Sequence, residues 1–140
     1  MPRWEFTIPG PPVAKGRPRA SVRGGKYVKM YTPHKTAVWE AQASVLLRDA
    51  WDLPMLEKPC RLAVEAVFPR PQRLIWKRKP MPREPHTSKP DTDNLVKAVC
   101  DAVEKASIVR NDSLIYKVLA TKHIASGDES PHVRVVILWE

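Results

Sequence analysis

Five residues in one stretch of the chain could carry out chemistry together: Asp91, Asp93, Lys97, Asp101 and, beyond a short gap, Asp112. Hard divalent cations such as Mg²⁺ take oxygen ligands, typically one or two carboxylates with waters and substrate phosphate completing the shell. Asp91 and Asp93 flank a single residue. On a regular helix they would point about 200° apart, so they converge only if Asp91 lies outside the helix. Pro90 favours this: Asp91 takes the extended N-cap conformation and Asp93 falls in the first turn, where the positive end of the helix favours negative charge. Capping alone is the competing reading, because acids are common at any helix start. Lys97 lies one turn beyond Asp93, placed either to stabilise charge on a phosphate or to form an i, i+4 ion pair with Asp93 or Asp101. Asp101 reads as a solvated helix residue or a structural hydrogen-bond partner, outside the ligand set. Asp112 follows the helix at a point from which the chain can fold back toward Asp91.

The surroundings favour the metal reading. The chain has 140 residues and a net charge of +9, with pI near 9.8. Clustered Lys and Arg gain affinity for polyanions by displacing counterions, so nucleic acid is the expected partner. Between 69 and 90 stand seven basic residues, Arg70, Arg73, Lys77, Arg78, Lys79, Arg83 and Lys89, against Glu84 alone. Carboxylates placed directly after such a segment repel the phosphates it attracts unless a cation lies between them. Lys15-Gly16-Arg17-Pro18-Arg19 is a second basic, proline-stiffened segment. Lys15, Arg17, Arg19, Arg73, Lys77, Arg78, Lys79 and Lys89 are the expected DNA contacts. Trp76 is placed either to stack on an unpaired base or to pack the loop.

The elements that position these residues follow from periodicity. Arg3 to Ile8 alternates as a strand and ends at Pro9-Gly10-Pro11-Pro12. Gly24-Gly25 suits a hairpin turn, and Thr32-Pro33 suits a helix start. A helix is expected to about Asp52, with Trp39, Ala43, Leu46 and Ala50 on its buried face. Cys60 to Phe68 alternates as a strand. The proline-rich segment at 69–90 has too little apolar surface to fold alone and reads as a mobile loop. A second helix, about Asp91 to Lys105, has a core stripe of Leu95, Val99, Ala102, Val103 and Ala106. Two strands, Leu114 to His123 and His132 to Trp139, close the chain across a tight hairpin turn at Ser126-Gly127-Asp128. The whole reads as one α+β domain over 1–140, with a mixed or antiparallel sheet and two main helices.

Other classes are disfavoured. No apolar run approaches 20 residues, no basic amphipathic helix suits a membrane surface, and Met1-Pro2-Arg3-Trp4-Glu5 lacks a signal-peptide core. Cys60 and Cys100 lack metal or disulfide spacing and read as reduced thiols of a cytoplasmic protein. His34, His86, His123 and His132 show no shared ligand spacing and read as surface or packing residues.

Asp91-x-Asp93-Asn94-x-x-Lys97-x-x-x-Asp101 followed by Asn111-Asp112-Ser113 resembles the signature of the RusA-type Holliday junction resolvases. Phe6-Thr7-Ile8-Pro9-Gly10-Pro11-Pro12, Lys15-Gly16-Arg17-Pro18-Arg19 and Tyr31-Thr32-Pro33 are similar to that family too, so the likeness spans nearly the whole chain. The resemblance implies Asp91, Asp93 and Asp112 as metal ligands and Lys97 as the catalytic lysine. It also implies Mg²⁺, with Mn²⁺ able to substitute, and a symmetric homodimer of α+β subunits. Paired nicks across four-way DNA junctions, leaving 5′-phosphate and 3′-hydroxyl ends during recombination and repair, are the implied activity. A nuclease acting on flaps or forks is the alternative within enzymes, and a non-catalytic nucleic-acid-binding module is the alternative outside them. Three positions depart from the pattern: Lys89-Pro90 stands where basic residues often precede the first Asp, Asn111-Asp112 replaces a frequent Asp pair, and Ser107 occupies the usual glycine or asparagine after the helix.

Overall fold

In the computed structural model, residues 1–16, 19–23, 27–31, 34–75 and 81–140 are described, and 19–23 and 27–31 by their backbone alone. The chain order is β1 (Arg3–Pro9), β2 (Arg19–Arg23), β3 (Tyr27–Tyr31), α1 (His34–Ala50), β4 (Cys60–Phe68), β5 (Glu84–Pro85), α2 (Thr92–Lys105), β6 (Ile115–Ile124) and β7 (His132–Trp139). Five strands form one mixed sheet in the order β1-β7-β4-β6-β5, and β2 and β3 pair antiparallel as a separate ribbon. Together with the two helices this is the expected α+β domain.

β4 is the centre of the sheet. It runs antiparallel to β7 and parallel to β6. Cys60, Leu62, Val64, Ala66 and Phe68 are all buried, as their alternation implies, and Val67 is buried on the other side. Burial on both faces marks a central strand. This corrects the expected closing hairpin. The turn forms, with the Glu129 amide donating to the Ser126 carbonyl at 3.2 Å, but β4 separates the strands it connects. The turn residues were legible; the buried strand that displaces the hairpin, Cys60–Phe68, lies far upstream.

The helices cover one face of the sheet. α2 buries Leu95, Ala98, Val99, Ala102 and Val103, and packs on α1, β4 and β6. α1 buries Thr36, Trp39, Ala43, Ser44 and Leu47: Trp39 and Ala43 face inward as expected, whereas Leu47 takes the place expected of Leu46, which is exposed. Both stripes satisfy three- and four-residue spacing. The inward face also carries the buried Thr36 hydroxyl, which donates to the Ala14 carbonyl at 3.2 Å and accepts from the Gly16 amide at 3.0 Å.

Over its described parts, the segment at 69–90 is held by hydrogen bonds from its arginines. Arg70 is nearly buried and its guanidinium donates to the carbonyls of Leu74, Pro82 and Ala125 at 2.8, 3.0 and 3.1 Å, and to Glu84 at 3.0 Å. Arg83 binds Glu65 at 3.0 Å and also Glu129, whose carboxyl is thereby held down at a pKa of about 2. β5 joins the edge of β6 at Ile124 and His123. Arginine forks supply here the anchorage that apolar burial does not. Lys77, Arg78, Lys79 and Trp76 lie outside the described residues.

The burial of Leu47 in place of Leu46 gives a stability prediction. Leu47→Ala, at a fully buried position, is expected to cost about 2–5 kcal/mol in urea unfolding. Leu46→Ala, 38% exposed, is expected to cost less than about 0.5 kcal/mol. Equal losses would contradict the assignment.

Candidate active site

The candidate residues gather around the start and outer flank of α2. Asp91 is the N-cap residue, extended at φ −74° and ψ 155°, and its carbonyl accepts from the Leu95 amide at 3.3 Å. Its carboxylate makes no capping hydrogen bond. Capping therefore does not account for this acid. Asp93 is exposed in the first turn. Lys97 and Asp101 follow at four-residue steps on the face opposite the buried stripe, their side chains 3.8 Å apart. Of the two ion pairs open to Lys97, the one with Asp101 forms. Lys97 nonetheless remains 59% exposed.

Asp112 returns to this region because of how α2 ends. Ser107 has φ 60°, the left-handed conformation that usually calls for glycine. Its amide donates to the Glu104 carbonyl, and the Ile108 amide donates to the Val103 carbonyl at 3.2 Å, a Schellman turn sealed by the fully buried Ile108. The chain reverses there, and the Asp112 amide then donates to the Glu104 side chain at 3.1 Å. Asn111 caps the following 3₁₀ turn, Asp112–Leu114, by accepting from the Ser113 amide at 2.8 Å. The Cys100 thiol records the convergence. Burial pushes its pKa up to about 11, with the negative charges of Asp112 and Asp101 adding to the effect and Lys97 opposing it. Cys100 and Cys60 are both free thiols.

Asp91, Asp93 and Asp112 are hard oxygen donors of the kind Mg²⁺ takes, so the donor set fits that ion chemically. Among the described residues, however, no three His, Cys, Asp or Glu side chains stand close enough together to hold a metal in common. The fold brings the bearing elements to one flank of α2; it does not preassemble the three carboxylates.

Lys15, expected among the DNA contacts, is only 21% exposed, and bridges Asp101 at 3.0 Å and Glu40 at 3.4 Å. Burial opposes its charge, but the hydrogen bond and charge of Asp101, with Glu40, outweigh burial and raise its pKa. Its amide also donates to the Asn94 carbonyl at 3.0 Å. Lys15 thus fastens the N-terminal segment between α1 and α2. Arg73 and Lys89 are exposed and make no ion pair among the described residues. Arg17 lies outside the described residues, and only the backbone of Arg19 is described. Lys122, which sequence reasoning passed over, donates to the Ser88 and Pro90 carbonyls immediately before Asp91, at 2.8 Å each.

Comparisons with known proteins give the family of the chain. A model of the family Endodeoxyribonuclease RusA matches residues 9–138. The chain belongs to the RusA family. It is therefore a nuclease of the endodeoxyribonuclease class. A RusA-family fold was the expectation from Asp91-x-Asp93 through Asp112. The uncharacterized protein YqaN of Bacillus subtilis (strain 168) is 31% identical over 138 residues, covering 95% of this chain and 94% of that protein. The crossover junction endodeoxyribonuclease RusA of Aquifex aeolicus (strain VF5) is 27% identical over 135 residues, covering 96% of this chain and 92% of that enzyme.

The Lys15 bridge can be tested by a double-mutant cycle in urea. Lys15→Met and Asp101→Asn should each destabilise the protein, and together by less than their sum, with a coupling of about 0.5–3 kcal/mol. Strict additivity would show that the two side chains do not interact.

Proposed function

We propose that this RusA-family chain is a Mg²⁺-dependent, structure-specific endonuclease that resolves four-way Holliday junctions by paired symmetric nicks, acting as a homodimer in cytoplasmic DNA recombination and repair. The observation that carries the reading is the start of α2. There an acid that caps nothing, Asp91, precedes an exposed acid, Asp93, and an exposed lysine, Lys97, in a strongly basic chain of this family. The name of the Aquifex relative, a crossover junction endodeoxyribonuclease, supports the choice of substrate.

Asp91, Asp93 and Asp112 would hold the ion, with Mn²⁺ able to replace Mg²⁺. A bound divalent ion supplies Lewis acidity toward the scissile phosphate and lowers the pKa of water. Lys97 projects into solvent one turn from Asp93 and stabilises the negative charge that gathers on the phosphoryl and leaving oxygens during an in-line attack. Asp101 limits where that ammonium can go. Arg17, Arg19, Arg73, Lys77, Arg78, Lys79 and Lys89 neutralise flanking phosphates, while Lys15 fixes the segment that leads to Arg17.

Two opposed cuts need two sites, which an isologous dimer provides. The edge of β6 supports this reading. Beyond Ile124 and His123 no described strand covers it, and Tyr116, Val118 and Leu119 are 59%, 41% and 65% exposed there. Among the described residues no helix is long and apolar enough to cross a membrane.

Asp93→Asn separates binding from chemistry. It keeps side-chain size and removes a charge that repels phosphate, so junction affinity should hold or rise while Mg²⁺-dependent cleavage slows roughly a thousandfold. Lys97→Ala should lose cleavage without that gain in affinity. Cleavage by Asp93→Asn at the parental rate would overturn the ligand assignment. Sedimentation at micromolar concentration should give twice the monomer mass; a monomer both free and on DNA would overturn the dimer.

A further inference from the structure

We infer that Lys122 is a positioning residue that sets where Asp91 stands. The inference rests on the metal-binding reading of α2 proposed above. Lys122 pairs in register with Ala66, on the face of β6 that the helices cover. Val118, Ala120 and Ile124 share that face by alternation. Lys122 is half-buried there, and its ammonium can place its donors on nearby acceptors. It finds them in the last turn of chain before the site: Nζ donates to the Ser88 and Pro90 carbonyls, each at 2.8 Å. No carboxylate pairs with it among the described residues, so backbone oxygens alone define its place.

The Pro90 carbonyl has particular leverage. It belongs to the same planar peptide unit as the Asp91 nitrogen, so directing that oxygen at Lys122 fixes the Asp91 Cα as well. On the other side, the Asp91 carbonyl is held by the Leu95 amide at 3.3 Å. The Asp91 side chain makes no capping hydrogen bond that would help to place it. Its carboxylate is therefore aimed by the backbone, and the backbone is aimed by Lys122 and by α2. The preceding residues are tied to the same lysine, because the His86 amide donates to the Lys122 carbonyl at 3.1 Å and the His86 ring stacks on Phe68 at 4.1 Å. Both ammonium contacts are inside the chain, which separates Lys122 from the exposed lysines that neutralise phosphates.

The test compares parent, Lys122→Met, Lys122→Gln and Lys122→Arg, each verified as folded by circular dichroism. Mn²⁺ binding to the DNA-free protein is measured by paramagnetic resonance of the free ion. Groups that hold ligands in place typically change metal affinity or activity by about 10–100-fold when removed. Lys122→Met should weaken Mn²⁺ binding about tenfold and lower kcat on a four-way junction by a similar factor, with KM within about twofold. Lys122→Arg should recover part of both, and Lys122→Gln, which keeps one donor on a shorter stem, serves if the Met variant does not fold. Parental Mn²⁺ affinity in a folded Met or Gln variant, accompanied only by a lower Tm, would overturn the proposal. So would weaker junction binding in EDTA with a salt slope reduced by about one, the mark of a phosphate contact. A parent that binds Mn²⁺ but cuts no junction would refute the proposed function while leaving this inference to stand on the Mn²⁺ comparison; a parent that binds no Mn²⁺ would refute both.

Discussion

Everything at the candidate site depends on the burial of one helical stripe. Leu95, Ala98, Val99, Ala102 and Val103 must face the sheet and α1, and at roughly 25 cal/mol per Å² of apolar surface this burial outweighs any preference of the polar residues between them. Once it is satisfied, the rotation of α2 is fixed. Asp93, Lys97 and Asp101 then fall on the outward face, and the helix start opens toward solvent. The same burial continues through Ala106 and Ile108, where the Schellman turn at Ser107 reverses the chain and returns Asp112 to the flank of the helix. A hydrophobic constraint thus places an acidic site.

Among the described residues, two groups of positive charge near the site have different physical roles. Lys15, Arg70, Arg83 and Lys122 bind carboxylates or backbone carbonyls and hold segments that have little apolar surface of their own. Arg73, Lys89 and Lys97 stay exposed and belong to the face a polyanion would meet. A net charge alone does not distinguish them. The distinction matters for mutagenesis, because removing a lysine of the first group changes the shape of the protein as well as its charge.

The parts of this arrangement governed by local pattern were legible in the sequence. Asp91 is the N-cap, β4 carries its alternating residues inward, and α2 buries Leu95, Val99, Ala102, Val103 and Ala106 as their spacing implies. What was hidden depends on contacts distant along the chain. Leu47 rather than Leu46 is buried, on the same face as Thr36, which bonds to Ala14 and Gly16. β6 and β7 stand apart because β4 lies between them. The loop after β4 is anchored through Arg70, whose most distant acceptor, the Ala125 carbonyl, lies 55 positions along the chain. Lys122 did leave a signal: alternation along β6 sets it on the inward face beside Ala120 and Ile124, where a lysine calls for explanation.

The central claim is that the carboxylates around α2 serve metal-dependent cutting of branched DNA. Its most direct test incubates the protein with a labelled four-way junction, a flap and a linear duplex of the same sequence, in Mg²⁺ and in EDTA, with DNA in excess over protein. The account predicts multiple turnovers on the junction in Mg²⁺, with nicks placed symmetrically on opposed strands, and no cutting in EDTA. Binding of all three DNAs without scission in either buffer would contradict it.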